Sequence, residues 1–338
     1  MPLSSKIYKQ FLINSPINYT CEYLSQFINS SGDTIERFLK ESRLKPTFIW
    51  EQIKDEIVLS PNGCLIVDKT VLEHKNSRMI EGAYKQWSGS SHDIVMGIGL
   101  INLVYYNPEL DRFWIVDCKV WDKKVDGKKE TTIAHDLIRI AVNRGIEFST
   151  VMFDSFYASS EFLCYIGLDL KKYFYTTLPK TRMVKEMNKI DAQYQSVANL
   201  DWNDTELNSG KYVRLRETPE KLKVKIYSIA SSERRIDAVC TNQIEENMTA
   251  KDIQEAYAIR WKVEEFHQQI KGTLGIAKCQ CRKRRSQKNH IISAILAYIY
   301  LTKEAIKAKT TIFQLKRRQL DEYMLNAMKH PYWEYMGV

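Results

Sequence analysis

The chain has 338 residues, 44% of them apolar and 27% charged, which excludes fibrous and intrinsically disordered proteins and suits a folded globular chain. Fifty Lys and Arg against 41 Asp and Glu leave a net charge of +9, which favours a polyanionic partner, most simply nucleic acid. The longest apolar runs, Val95 to Tyr106 and Ile291 to Leu301, fall short of the roughly 20 residues of a membrane-spanning helix, and residues 1–16 hold no apolar core followed by a small-residue cleavage site, so the chain is expected to avoid membranes and stay in the cytoplasm.

Residues 1–58 predict a small helical region, with Ser31-Gly-Asp33 as a break before a helix over 34–41. Two short helices around such a break suit either a DNA-reading helix-turn-helix or a helical cap on the main domain. After Pro61-Asn62-Gly63 the pattern turns strand-like: Cys64 to Val67, Ile94 to Tyr106 and Arg112 to Val120, each rich in β-branched or aromatic residues. A helix over 133–143, a strand over 150–153, a helix over 159–166 and a strand over 173–178 follow. This order predicts an α/β fold, a mixed sheet with helices on its faces. Residues 180–242 are polar and irregular, with strands expected at 223–230 and 236–241, and read as a β-rich insertion. One long helix over 250–271, a basic connection, a helix over 289–308 and a tail over 311–338 complete the chain.

The long helix carries the most information. Tyr257, Arg260, Glu264 and Lys271 stand at offsets 0, 3, 7 and 14, within an arc of roughly 60° on a continuous helix. Taken alone, Arg260 and Glu264 make an ordinary i, i+4 pair on a solvated face. Two aspartates alter that weighting: Asp68 follows Cys64-Leu-Ile-Val67 and Asp154 follows Thr150-Val-Met-Phe153. A strand-end Asp also serves as a turn or helix cap. With Glu264, however, the two supply enough carboxylate oxygen for hard divalent ions such as Mg²⁺, of the kind that promote phosphodiester chemistry in pairs.

These motifs resemble those of the DDE transposases of bacterial insertion sequences, in the group marked by a Tyr-x2-Arg-x3-Glu-x6-Lys signature. The match runs Tyr257-Ala-Ile-Arg260-Trp-Lys-Val-Glu264-Glu-Phe-His-Gln-Gln-Ile-Lys271, with Asp68-Lys-Thr70 and Asp154-Ser-Phe-Tyr157 as the two aspartate motifs, and covers residues 60 to 305. The second motif has Ser155 and Phe156 where the family commonly has a Gly. The resemblance implies an RNase H-like core over 59–179 and 243–310, split by the insertion at 180–242. It implies that Asp68, Asp154 and Glu264 are catalytic and hold two Mg²⁺ ions, with Mn²⁺ as a substitute. Tyr257, Arg260 and Lys271 would hold DNA phosphates, and Trp202, the one Trp of the insertion, is the candidate to stack on a flipped base. A Trp buried in the insertion's core is the plainer reading of that residue.

The partners implied are double-stranded DNA, as terminal inverted repeats and as target, and a second copy of the chain. The activity implied is metal-dependent cut-and-paste cleavage and strand transfer through a hairpin on the transposon end, on the bacterial nucleoid. Lys278, Arg282, Lys283, Arg284, Arg285 and Lys288 form a run without an acid, read as a DNA-backbone contact, which Lys316-Arg317-Arg318 extends. Two alternatives stay open: an RNase H-like nuclease or resolvase without strand transfer, and a non-catalytic DNA-binding descendant, against which the full carboxylate set speaks.

Seven cysteines, at 21, 64, 118, 164, 240, 279 and 281, make no Cys-x-x-Cys pair and are expected to be reduced thiols. A zinc set of His267, Cys279, Cys281 and His290 is set aside, because Cys-x-Cys spacing suits a structural site poorly and His267 falls in mid-helix. A covalent tyrosine recombinase and a two-carboxylate glycosidase are set aside as well: the histidines do not pair to support the first, and the second leaves the basic surface unexplained.

Overall fold

The computed structural model describes residues 2–74, 79–89, 91–232 and 235–330. The backbone divides into two compact units, one of Met1–Gln52, Val71–Gly99 and Glu265–Val338, the other of Ile53–Thr70 and Leu100–Glu264.

The first unit is built around a helix buried on nearly every side. The N-terminal helices are α1 (Ser5–Asn14), α2 (Cys21–Ser25), α3 (Gly32–Glu41) and α4 (Thr47–Ile53). Ser4, Thr20 and Ser31 cap the first three, each side chain accepting a backbone N–H two or three residues on, as these residue types do at a helix start. In chain order the strands β1 (Cys64–Glu73), β2 (Tyr84–Ser88) and β3 (Asp93–Asn107) follow, then β4 (Arg112–Trp121). Within this unit β2 pairs antiparallel with the first residues of β3. The short β2 was not anticipated: Tyr-Lys-Gln-Trp-Ser alternates too briefly to stand out.

In the second unit the sheet runs β3-β1-β5-β6-β11-β10-β9-β7-β8, with β4 also on β3. Its further elements are α5 (Lys123–Asp126), α6 (Glu130–Asn143), β5 (Thr150–Phe153), α7 (Ser160–Cys164), β6 (Tyr173–Leu178), β7 (Met183–Glu186), β8 (Gln195–Ser196), α8 (Asp204–Ser209), β9 (Lys211–Leu215), β10 (Val224–Ser232) and β11 (Arg235–Thr241). β1, β5 and β6 are parallel neighbours, whereas β11, β10, β9, β7 and β8 join on antiparallel. The sheet is therefore mixed, as expected, with α6 against β4 and α8 and α9 (Ala250–Ala258) against β10. Residues 180–242 carry β7 to β11 and α8, and continue this sheet from β6. Three of those strands escaped the sequence because they are short and rich in Lys, Arg and Gln.

α10 (Trp261–Leu274), α11 (Arg284–Lys307) and α12 (Ile312–Lys329) close the chain. α1, α3 and α12 pack on α11, whose residues from Ser286 to Ile299 are nearly all buried. Gly275 ends α10 at φ +59°, where an added Cβ would fall 2.4 Å from the Tyr19 ring, so glycine is required on both counts. Three expectations change. The helix expected over 159–166 gives way after Cys164 to a wider π turn over Tyr165–Asp169. α11 begins at Arg284 rather than Asn289, so part of the basic run is its first turn. The supposed tail is helical to Lys329; its residues 331–338 lie outside the described residues. Among the described residues, no helix is long and apolar enough to cross a membrane.

Asn289, buried on α11, donates through Nδ2 to the carbonyls of Leu39 (2.6 Å) and Ser42 (2.7 Å) and accepts from Leu44 N (3.0 Å). It thus satisfies the carbonyls that α3 leaves open at its C-terminus. Asn289→Ala is predicted to destabilise the chain by about 1–3 kcal/mol, because one buried and two part-buried backbone groups lose their partner, read as a lower urea midpoint with unchanged slope.

Candidate active site

The parallel register of β1 and β5 sets the two aspartates side by side. Ile66 pairs with Met152, and Asp68 and Asp154 each stand two residues further on, so they share one level and one face of neighbouring strands about 4.8 Å apart. Leu65, Ile66, Val67, Val151 and Phe153 are fully buried, as a strand covered on both faces requires. Asp68 does not close its strand as expected. β1 runs on to Glu73, because Val71 and Leu72 are again buried and the polar triplet Asp68-Lys69-Thr70 interrupts the apolar pattern without ending the ladder.

Asp154 does end β5, and it has a local duty as well. Its Oδ1 accepts from Phe156 N at 3.0 Å and its carbonyl from Tyr157 N at 3.1 Å and Thr176 Oγ1 at 3.1 Å. The turn Ser155–Tyr157 is a 3₁₀ turn capped by Asp154. Cap and candidate ligand are therefore one residue, with its second carboxylate oxygen outside that hydrogen bond. Tyr157 is buried beside Phe162, while Phe156 is 59% exposed under the Lys69 ammonium.

The expected single helix over 250–271 is two helices. α9 stops at Ala258 and α10 starts at Trp261, and Ile259, Arg260, Lys262 and Val263 all make i to i−3 backbone bonds, a tight 3₁₀ turn. The ideal-helix arc for Tyr257 and Arg260 therefore does not apply, yet both reach the same place. Tyr257 donates its hydroxyl to the carbonyl of Phe153 at 3.3 Å, at the end of β5. Arg260, 20% exposed, sends Nη2 to Glu264 Oε1 (2.5 Å) and Nη1 toward Asp68 Oδ2 (3.8 Å), with its guanidinium 5.6 Å from the centre of the Tyr257 ring. The i, i+4 pair thus exists, and it also bridges to a carboxylate on a different element.

Burial pushes the Asp68 carboxyl up, and the neighbouring Asp154 adds to this, against the opposing pull of Arg260. Burial also raises Asp154, while Arg260, the Phe156 and Tyr157 amides and Lys69 hold it down. Among the described residues, the carboxylate oxygens of Asp68, Asp154 and Glu264 do not all come within 4.8 Å of one another. The guanidinium lies between Asp68 and Glu264.

Lys69 escaped the sequence reading although it lies inside the first aspartate motif. Its Nζ pairs with the buried Glu130 at 2.8 Å and lies over the Trp121 and Phe156 rings. Trp202 is half-buried just before α8, with the Lys211 ammonium 5.4 Å from its ring centre. Lys211 is itself buried between Glu186 and Glu206. In the first unit, Lys271 is half-buried on α10 and Arg282, Lys283 and Arg285 are exposed. The basic run is not free of acid in space: Glu81 pairs with Lys283 Nζ at 2.8 Å and accepts from Arg284 N at 3.1 Å.

Residues 60–300, more than two thirds of the chain, match the family described as a transposase DDE domain. No curated protein matches the chain. The mixed sheet with flanking helices is the RNase H-like fold.

Because both aspartates have raised pKa values, their contribution to stability is complete below the ordinary carboxylate range and is lost as pH rises through the raised values. Without added divalent ions, Asp68→Asn is therefore predicted to be more stable than the wild type at pH 8, by about 1–2 kcal/mol. Thermal unfolding should show this gain shrinking toward pH 4. A gain that stays constant with pH would contradict the assignment.

Proposed function

Because this chain belongs to the transposase DDE-domain family, we propose that it binds the terminal inverted repeats of its own element as a homodimer and moves that element by cut-and-paste. Asp68, Asp154 and Glu264 are the catalytic carboxylates in this reading. The observation that carries it is Arg260 bridging Asp68 and Glu264, from different elements, beside Asp154.

The family works with divalent metal ions, and the residues here fit them. The donors are hard carboxylate oxygens, and burial beside each other makes two of them poor anions, a penalty that a nearby divalent cation relieves. Asp68, Asp154 and Glu264 would hold two Mg²⁺, or Mn²⁺, whose chemistry is to activate the attacking oxygen and stabilise the leaving one. The chain's own groups do the rest. Arg260 is the movable counter-charge: its planar fork is released from the carboxylates to a DNA phosphate. Tyr257 offers a hydroxyl donor and Lys271 a point charge, each to a DNA phosphate. Arg282, Lys283 and Arg285, exposed, and the half-buried Arg284 contact the backbone, and the exposed Arg37, Lys40, Arg43 and Lys45 of the helical region 1–58 add contacts to the repeats. Trp202 is the stacking surface for a flipped base, after Lys211 yields one face of its ring.

In the first step water attacks the phosphorus at the transposon end, the bond to the 3′ oxygen breaks, and that oxygen leaves as a 3′-hydroxyl. The hydroxyl attacks a phosphodiester of the opposite strand, forming a hairpin as the 3′ oxygen of the flanking DNA leaves; water then opens the hairpin, and the regenerated 3′-hydroxyl attacks a target phosphodiester, from which a target 3′ oxygen leaves.

The test uses labelled duplex carrying the element's end, taken from the flanks of the gene, with and without Mg²⁺. Cleavage and a hairpin product are expected with Mg²⁺, and Glu264→Gln and Asp68→Asn should each lower the rate by about 10³-fold or more, the scale of losing electrostatic stabilisation of a transition state. Folded variants with wild-type rates would overturn the carboxylate assignment. Cleavage without joining would indicate a nuclease or resolvase, and binding without cleavage a non-catalytic descendant.

A further inference from the structure

In the first unit, the chain brings together cysteines that are far apart in sequence. The Sγ of Cys21, first residue of α2, lies 4.0 Å from the Sγ of Cys281, in the irregular segment between α10 and α11. The Glu36 carboxylate of α3 joins them, and the three ligand atoms lie within 4.8 Å of one another. Cys279 is a further buried thiol that interacts electrostatically with Cys281. Its Cys-x-Cys spacing is poor for a turn-based zinc knuckle, but the ligand atoms beside Cys281 come from elsewhere in the chain.

The segment is anchored on α11. Gln287, 1% exposed on α11, donates Nε2 to the carbonyls of Cys279 (2.9 Å) and Cys281 (2.7 Å). A thiol separation of 4.0 Å is close to the edge of about 3.8 Å that a tetrahedron with zinc–sulfur bonds of about 2.3 Å requires. It is about twice a disulfide bond. His290 takes no part: its Nε2 donates to the Gly275 carbonyl at 3.0 Å and its Nδ1 accepts from the Tyr8 hydroxyl at 2.8 Å, so both ring nitrogens are engaged. The cluster therefore differs from the zinc set that the sequence suggested and that was set aside: it includes Cys21 and Glu36 from the N-terminal helices and neither histidine.

We propose that Cys21, Cys279, Cys281 and Glu36 bind one zinc ion that clasps α2 and α3 to the segment leading into α11. Cys279 moves in to complete the set. The thiols lose their protons to solvent as the metal binds, and thiolate ligands select zinc over the hard ions that suit an all-carboxylate site. Glu36 is exposed, so the ion enters from solvent. Arg282, which interacts electrostatically with Glu36, offsets the negative charge of the ligand set. The clasp would fix the exposed basic residues of α3 against those that begin α11.

The full-length protein, purified from zinc-replete cells without chelator, should contain about one zinc per chain, as a closed structural site does. Exchange with Co²⁺ should give the intense visible bands of tetrahedral thiolate-bound cobalt, and Cys21→Ser and Cys281→Ser should lose both metal and bands. Cys164→Ser, outside the set, should keep them. Because this readout needs no DNA and no cleavage, it stands apart from the transposase assignment. A wild-type protein with zinc far below one per chain and no cobalt bands would overturn the clasp. So would finding Cys21 and Cys281 joined as a disulfide in the freshly purified protein.

Discussion

Two carboxylates held side by side on buried parallel strands are the constraint around which the second unit is organised. Anions about 5 Å apart repel by roughly 3 kcal/mol at the effective dielectric of a protein interior, so the pair is unfavourable unless positive charge is brought to it. Arg260 brings that charge, and the break between α9 and α10 is what lets it do so. A continuous helix would direct Tyr257 and Arg260 by its own period. The tight turn at Ile259 and Arg260 instead lets Tyr257 lie against the end of β5 while the guanidinium spans from Glu264 to Asp68.

The rigid part of this arrangement is the sheet. β1, β5 and β6 are buried and parallel, and β11 to β8 continue them antiparallel, so the aspartates are carried by the sheet while Arg260, in the turn before α10, and Glu264, on α10, reach them by their side chains. That division suits a site whose counter-charge must be exchanged. The ammonium of Lys69, held by Glu130 and flanked by Trp121 and Phe156, is the second positive group acting on Asp154. It belongs to the site's electrostatics as much as the signature residues do.

The first unit works by a different principle, with burial of one helix in place of a sheet. α11 is covered by α1, α3 and α12, and its polar interior residues are used as fasteners: Asn289 for the end of α3, Gln287 for the Cys279–Cys281 segment and His290 for Gly275. Glu81 does the same at the start of α11, accepting from Arg284 N and pairing with Lys283. α1 and α3 are thus packed on α11, whatever their exposed faces bind.

The strands carrying the aspartates and the residue types of the site were legible in the sequence, because a run such as Thr150-Val-Met-Phe153 has one stable use, a strand buried on both faces, and because Tyr257, Arg260, Glu264 and Lys271 keep a fixed spacing. The sequence by itself determined the mixed α/β class, the order of the main elements and the three candidate carboxylates. Only the tertiary structure decided how β1 continues past Asp68, where the long helix breaks, and that Arg260 reaches across to Asp68. It alone decided that Glu81 enters the basic run and that Cys21 and Glu36 meet Cys281. The reason is physical: periodicity records which face of a local element is buried, whereas an ion pair or ligand set between residues as far apart as Cys21 and Cys281 leaves no periodic trace and exists only once packing has fixed both ends.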